Sequence, residues 1–195
     1  HAQLDLADVE SIRKFAGHIL QETPTVYGLV NSAGWDKVEP FMDNTQELSE
    51  QLIRINLLGP ITLTRALLPS MIKERRGKVV NISSDAGRVG SMGEVVYSAA
   101  KGGIIAFTKA LAREMARYQI NVNCVCPGPT DTPLLHSQTG DWAVRIREGM
   151  VRAVPFRRLG TSDEIAETIE FFLSKNSAFA TGQVLSVSGG LTMAG

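Results

Sequence analysis

Two hydrophobic periods take turns along this chain. Short, nearly unbroken apolar runs, VYGLVN, GKVVNIS, INVNCVCPG and the late GQVLSVSGG, have the length of buried strands. Between them apolar positions recur every three or four residues, in LSEQLIRINLLGPITLTRALLPSMIKE, in the run from Tyr97 to Arg117, and in SDEIAETIEFFLSKNSA, where Ser162 and Asp163 are the expected caps. Strands without polar interruption are buried on both faces, and helices of this length between them imply right-handed crossovers in a parallel sheet. The pattern predicts an α/β fold, a doubly wound parallel sheet with helices on both faces, forming one domain over 1–195. Residues 133–160 carry no clean strand signal and are long enough to hold helical pieces, so a substrate lid is expected there.

Composition adds mainly exclusions. Twenty basic residues cancel 20 acidic ones, so no electrostatic bias points to nucleic acid or to a membrane surface. Runs such as GGIIAF and FFL are shorter than the roughly 20 residues of a membrane span, and the start lacks the order of a signal peptide, so a cytoplasmic protein is expected. Cys124 and Cys126, in an apolar strand run, are expected on opposite faces, neither bridged nor ligating metal. His1, His18 and His136 are too dispersed for a metal set, and no metal is expected. The opening HAQLDLADVESI already reads as a strand-to-helix turn, so further residues are expected upstream of His1.

In parallel sheets ligands bind at the carboxyl ends of the strands, and the candidate chemistry gathers there. Tyr97 and Lys101 are four apart at the start of a helix, on one face, so a cation can sit near a phenol and favour the phenolate. That suits proton exchange with an alcohol or a carbonyl; alone, the pair reads first as an aromatic packing residue beside a solvated lysine, and its context has to argue for chemistry. Ser84 ends the strand GKVVNISS and can donate to a substrate oxygen, or merely cap a turn. Asn56 is a poor helix former inside an apolar helical run, so its side chain is either functional or a locally satisfied buried amide. Asn31-Ser32-Ala33-Gly34 and the segment from Pro127 and Gly128 to Thr132 close two strands with small residues that a flat ligand could approach.

In order and spacing, Asn31-Ser32-Ala33-Gly34, Asn56, Ser84, Tyr97-x-x-x-Lys101 and Pro127-Gly128 resemble the short-chain dehydrogenase/reductase family over essentially the whole chain. The resemblance implies a Rossmann-like fold, NAD or NADP as cofactor with NAD favoured, and a homotetramer. It makes Asn56, Ser84, Tyr97 and Lys101 a catalytic tetrad. Tyr97 would be the acid/base, Ser84 would polarise the carbonyl, Lys101 would lower the tyrosine pKa and hold the nicotinamide ribose, and Asn56 would support a water of the proton relay. Cofactor contacts are implied for Asp5, Leu6, Asn31, Ala33, Gly34, Tyr97, Lys101, Pro127, Gly128, Thr130 and Thr132.

Two departures stand out. Ser32 replaces a usual second asparagine, and the first two βα units, with their glycine-rich phosphate loop, are expected upstream of His1. Longer stretches, such as NSAGWD, SDAGRVGSMGEVVYSAAKGG and VNCVCPGPTDTPLL, are similar to family members acting on cyclic hydroxyacyl thioesters. The implied substrate is 2-hydroxycyclohexanecarboxyl-CoA or another β-hydroxyacyl-CoA. Reduction of 3-oxoacyl carrier proteins, sugar or steroid oxidation, and an epimerase or lyase holding its nicotinamide tightly are the alternatives. Trp35, Asp85 and Arg88 are candidate substrate contacts, with Asp36 as a further lining residue. Arg145, Arg147, Arg152, Arg157 and Arg158 could meet CoA phosphates, or simply form a solvated charged face.

Overall fold

A computed structural model describes residues 1–137 and 141–194. Four parallel strands, β1 (Gly28–Asn31), β2 (Gly77–Ile82), β3 (Ile120–Pro127) and β4 (Val184–Val187), pair in sequence order. Each is followed by a helical crossover or the chain end, so all the carboxyl ends lie along one edge. Helices α1 (Val9–Glu22), α3 (Gly59–Glu74) and α5 (Val95–Met115) cover one face, where Ile12, Leu63, Leu67 and Met115 pack with Leu29, Val79 and Val122. Helix α8 (Ser162–Leu173) covers the other, through Ile165 and Phe172 against Val80 and Val125. Alternation along β2 and β3 sends neighbouring valines to opposite layers, as a strand buried on both faces requires. The expected doubly wound α/β sheet is what forms.

The helical run before β2 is less regular than its apolar stripe suggests. It consists of α2 (Gln46–Ile53), a π turn over Arg54–Leu58 and then α3. Short helices α4 (Ala86–Val89) and α6 (Pro133–His136) follow β2 and β3, and α7 (Asp141–Ala153) precedes α8. Residues 138–140 of the expected lid lie outside the described residues.

Three expectations need correction. The α8 cap is Thr161, one residue before Ser162 and Asp163. Its hydroxyl accepts the Glu164 N–H at 3.2 Å, while the Glu164 carboxylate accepts the Thr161 N–H at 2.8 Å, a reciprocal capping box. Cys124 and Cys126 do not face apart, because residues two apart in a strand share a face. Their free thiols lie 4.0 Å from each other beside Ile104. Finally, Gln46–Glu74 and Val95–Tyr118 are long and apolar enough by composition to cross a bilayer, although both pack on the sheet.

Candidate active site

A buried polar ladder fixes the carboxyl edge of the sheet. The Asn31 amide donates to Asn81 Oδ1 at 2.7 Å and to the Thr64 hydroxyl at 2.9 Å, and the Asn81 amide donates to the Thr108 hydroxyl at 2.9 Å. It ties the ends of β1 and β2 to α3 and α5, and each buried amide is thereby satisfied. Asn31 is therefore a support of the edge by its side chain.

Asn56 lies in the π turn and is wholly buried. The wider turn suits a side chain that reaches out of the helix. Its amide donates to the Trp35 carbonyl at 2.7 Å and the Leu52 carbonyl at 3.0 Å, and its Oδ1 accepts the Trp35 N–H at 3.2 Å. Asn56 thus clamps both backbone polar groups of one residue, Trp35, in the loop after β1. Gly34 precedes that clamp, and a Cβ there would lie 2.9 Å from Asn56 Oδ1 and 3.2 Å from Lys101 Nζ. A bare backbone at residue 34 leaves room where these two polar groups converge.

On the next strand, Ser84 follows the end of β2. Its oxygen accepts the Ala86 N–H at 3.1 Å, and the preceding Ser83 donates to the Lys101 carbonyl at 2.7 Å. Gly87 lets α4 press onto α5, since a Cβ at that position would come within 2.6 Å of the Lys101 carbonyl carbon and 2.8 Å of the Gly102 nitrogen. This contact sets the serine turn against the first turns of α5, which carry Tyr97 and Lys101. The Lys101 ammonium donates to the Ile82 carbonyl at 3.0 Å and sits 5.5 Å from the centre of the Tyr97 ring.

Burial depresses the Lys101 pKa to about 8, with Asp36 among the groups working against the fall. Burial pushes the Tyr97 phenol well above its ordinary value, Asp36 and Glu94 push it further, and a hydrogen bond with Ser84 opposes them. The lowering of the tyrosine pKa expected from Lys101 is therefore outweighed here by burial and two carboxyl groups.

These side chains open onto one cleft of about 740 Å³ at the carboxyl edge of the sheet. Ser32, Gly34, Ser84, Asp85, Tyr97, Lys101, Pro127, Gly128, Thr130 and Thr132 line it, and α6 and α7 add Leu134, Leu135, Ile146 and Met150. Gly128 is needed where β3 ends, since a Cβ there would meet the Ser188 Cβ at 2.6 Å. The hydroxyl of Thr130 donates to the Gly128 carbonyl at 2.9 Å, and that of Thr132 accepts the Leu135 N–H and caps α6. The bare backbone at Gly34, the buried ammonium beside it and the two threonines fit the nicotinamide half of a dinucleotide.

Other candidates fall elsewhere. Asp5 accepts the Ala7 N–H at 2.8 Å, and Leu6 packs into the core against Gly59, neither in the cleft. Ala33 is exposed outside the lining, and Trp35 contributes its clamped peptide. Arg88 is engaged by β4 and the segment after it: its guanidinium donates to the Ser186 hydroxyl at 3.0 Å, to the Val184 carbonyl at 3.2 Å and to the Ala194 carbonyl. Asp85 accepts from Ser186 at 2.5 Å, and its other oxygen is buried without a hydrogen-bond partner among the described residues. Of the basic cluster, Arg147 lines the cleft, Arg158 pairs with Glu164 at 2.5 Å, Arg152 pairs with Glu148 at 3.6 Å, Arg157 donates to the Arg152 carbonyl, and Arg145 is exposed. Glu94 lines the cleft without having been singled out in the sequence, where an acid just before a helix reads as an ordinary N-terminal residue.

The geometry agrees with comparison to known proteins. Residues 2–192 match the family model described as enoyl-(acyl carrier protein) reductase. The chain is 34% identical over 190 residues to the 3-oxoacyl-(acyl-carrier-protein) reductase FabG of Thermotoga maritima and 36% identical over 190 residues to that of Escherichia coli. In both cases 97% of this chain is covered, and 76% of the relative. An acetoacetyl-CoA reductase of an Acinetobacter species is 39% identical over 165 residues, which cover 85% of this chain and 65% of the relative. With the parallel sheet and a serine, tyrosine and lysine brought to one cleft, this match shows that the chain belongs to the short-chain dehydrogenase/reductase family of NAD(P)-dependent oxidoreductases.

Proposed function

We propose that the protein interconverts a β-ketoacyl thioester and its β-hydroxyacyl form. The observation that carries this is the cleft itself, with Ser84, Tyr97 and Lys101 on its floor and the apolar side chains of α6 and α7 along its wall. An acyl chain or ring suits that wall, and the reacting carbonyl suits that floor. By their names, the relatives act on 3-oxoacyl groups of a carrier protein and on acetoacetyl-CoA, two carriers for one β-keto thioester chemistry.

In reduction, the Ser84 hydroxyl donates to the ketone oxygen and fixes its position. The Tyr97 phenol proton then passes to that oxygen as the carbon–oxygen double bond becomes single, and in oxidation the phenolate takes it back. Lys101 would hold the cofactor's ribose hydroxyls and balance phenolate charge, while Asn56 keeps the loop of residues 34–36 at the site. A bound NAD or NADP supplies the hydride chemistry at the substrate carbon. Gly34, Lys101, Thr130 and Thr132 would hold its nicotinamide half, with Pro127 and Gly128 as the backbone beneath. Asp5 and Leu6 belong to this reading only as more remote contacts, toward the adenine end. Residues 133–160 act as the lid, and the protein works as a cytoplasmic homotetramer. The finer assignment, 2-hydroxycyclohexanecarboxyl-CoA with NAD, rests on the similarity of the segments around Trp35 and Tyr97.

The test is the absorbance of reduced nicotinamide in the full-length polypeptide. Each of NAD and NADP is supplied with 2-hydroxycyclohexanecarboxyl-CoA, 3-hydroxybutyryl-CoA and simple secondary alcohols, and the reverse reaction is run with 3-oxoacyl substrates on CoA and on carrier protein. Turnover of a thioester, lost in Tyr97→Phe, is the expected result. Turnover of simple alcohols alone would overturn the thioester assignment, and an undiminished Tyr97→Phe would overturn the assignment of the tyrosine.

A further inference from the structure

Beside Tyr97 the cleft wall carries two acids that the reaction above does not use. Asp36 is 8% exposed, and its Oδ1 is buried without a hydrogen-bond donor among the described residues. The neighbouring hydrogen-bonding side chain is the carboxyl group of Glu94. Two carboxylates can only accept, so such a contact requires one of them to keep a proton.

We propose that Asp36 and Glu94 form a proton-sharing carboxyl pair that holds Tyr97 in its proton-bearing form and so biases the enzyme toward reduction of the ketone. The inference rests on the assignment of Tyr97 as the proton-transfer residue.

The backbone holds the two acids together. The Asn56 clamp on Trp35 fixes the residue preceding Asp36. The Glu39 N–H donates to the Gly93 carbonyl at 3.0 Å, joining the loop after Asp36 to the residue before Glu94. Gly93 has φ +81°, and a Cβ on it would lie 2.9 Å from Val38 Cγ1, so the loops meet closely at a position suited to glycine. Glu94 in turn is anchored to α5, its carbonyl accepting the Ser98 N–H at 2.7 Å.

The surrounding charges leave the pair's single negative charge acting on the phenol. Within the loop, Lys37 pairs with Glu39 at 2.5 Å, and the Lys37 backbone N–H favours the ionised form of Asp36. From α5, Lys101 is the cation that attracts it. Asp85 after β2 and Arg147 of α7 line the same cleft, and Arg88 is turned to the C-terminal strand. Asp36 and Glu94 both disfavour the phenolate of Tyr97. A phenol that keeps its proton is ready to give it to a ketone oxygen, whereas alcohol oxidation begins only once the phenol has lost it, at higher pH. The two acids are therefore positioning residues that act through the tyrosine.

Glu94→Gln and Asp36→Asn test this, with pH profiles of kcat in both directions on the full-length enzyme. The ascending limb of oxidation is expected to move down by roughly one pH unit or more in either variant, with the descending alkaline limb of reduction moving down in parallel. Infrared difference spectra of the native protein should show the carbonyl stretch of a protonated carboxyl group at neutral pH, absent from both variants. Partly exposed Glu94 tolerates the amide, so the test survives if Asp36→Asn does not fold. Unmoved limbs in a folded Glu94→Gln, or no protonated-carboxyl band, would overturn the pair while Tyr97→Phe is inactive. Retained activity in Tyr97→Phe would instead overturn the assignment on which the pair depends.

Discussion

The floor and the roof of the cleft are built by different means. On the floor, Asn56 is wholly buried with three hydrogen bonds, Lys101 is 4% exposed with its ammonium tied to Ile82, and the Asn31–Asn81 ladder locks the strand ends. On the roof, α6 and α7 show exposed ties such as His136 with Asp131 at 2.5 Å and Arg152 with Glu148 at 3.6 Å. Exposed pairs contribute about 0–1 kcal/mol each, so these ties fix the roof less than satisfied buried groups fix the floor. If the proposed function holds, the contrast separates two tasks: the floor would fix the proton-transfer groups, and the roof would select the acyl group.

Removing the cation from the floor should break it most. Lys101→Met is expected to lower kcat by roughly 10²–10⁴-fold, through loss of ribose binding and of charge balance for the phenolate. Its effect on stability has the opposite sign. The lysine pKa is about 8 in the fold against an ordinary 10.5, so the unfolded chain holds more protons between those values. The cost of burying the ammonium is full below about pH 8 and disappears as pH rises toward 10.5. The native protein should therefore gain about 3 kcal/mol across that window from this group, and the methionine variant should show a flat curve there by urea unfolding. An activity loss without the flattened curve would mean that the ammonium is less buried than the floor requires.

Gly87→Ala asks whether the floor depends on α4 lying against α5. The new methyl would meet backbone atoms of Lys101 and Gly102 at 2.6 and 2.8 Å, so the Ser84 turn must shift. A destabilisation of about 1–3 kcal/mol is expected, with kcat falling more than KM rises. On the roof the pattern should invert. Ile146→Ala and Met150→Ala should leave thermal stability close to native and raise KM for large acyl groups about tenfold, measurable as a changed preference between cyclic and short thioesters. A kcat effect equal to that of Gly87→Ala would show that the roof also shapes the chemistry.

The same contrast decides what the sequence could reveal. Strand runs such as GKVVNIS and INVNCVCPG announced the sheet, because burial on both faces leaves an unbroken apolar signature. Tyr97, Lys101 and Ser84 stood out by residue type at a strand end and on one helix face, and the structure brings the three to one cleft. Asn56 was visible as an anomaly, while its partner, a backbone peptide at residue 35, has no side-chain signature. Arg88 looked available in a linear reading and is engaged by β4, almost 100 residues later, a pairing created only by tertiary packing. Glu94 and Asp36, far apart in sequence, meet through a loop contact for the same reason. The 133–160 stretch was legible as long and without a strand signal, but which of its apolar residues face the cleft depended on how α7 docks.

The smallest effect belongs to the hinge between roof and core, at the start of α8. Glu164 serves twice there, closing the capping box with Thr161 and accepting both terminal nitrogens of Arg158, at 2.8 and 2.5 Å. Hydrogen bonds from Arg158, and then from the Thr161 backbone, hold its carboxyl at about 2 instead of 4.5. A depressed carboxyl stabilises the fold above about pH 4.5 and stops doing so as pH falls toward about 2, because protonation then favours the unfolded chain. The site is open to solvent, so added salt should weaken this contribution strongly, unlike that of buried Lys101. Glu164→Gln is expected to remove the acid slope while lowering the melting temperature at neutral pH less than Gly87→Ala does. If salt leaves the slope unchanged, the hinge is held by short-range bonding as firmly as the floor, and the division between a fixed floor and a lightly tied roof would have to be drawn after α7, not at α6.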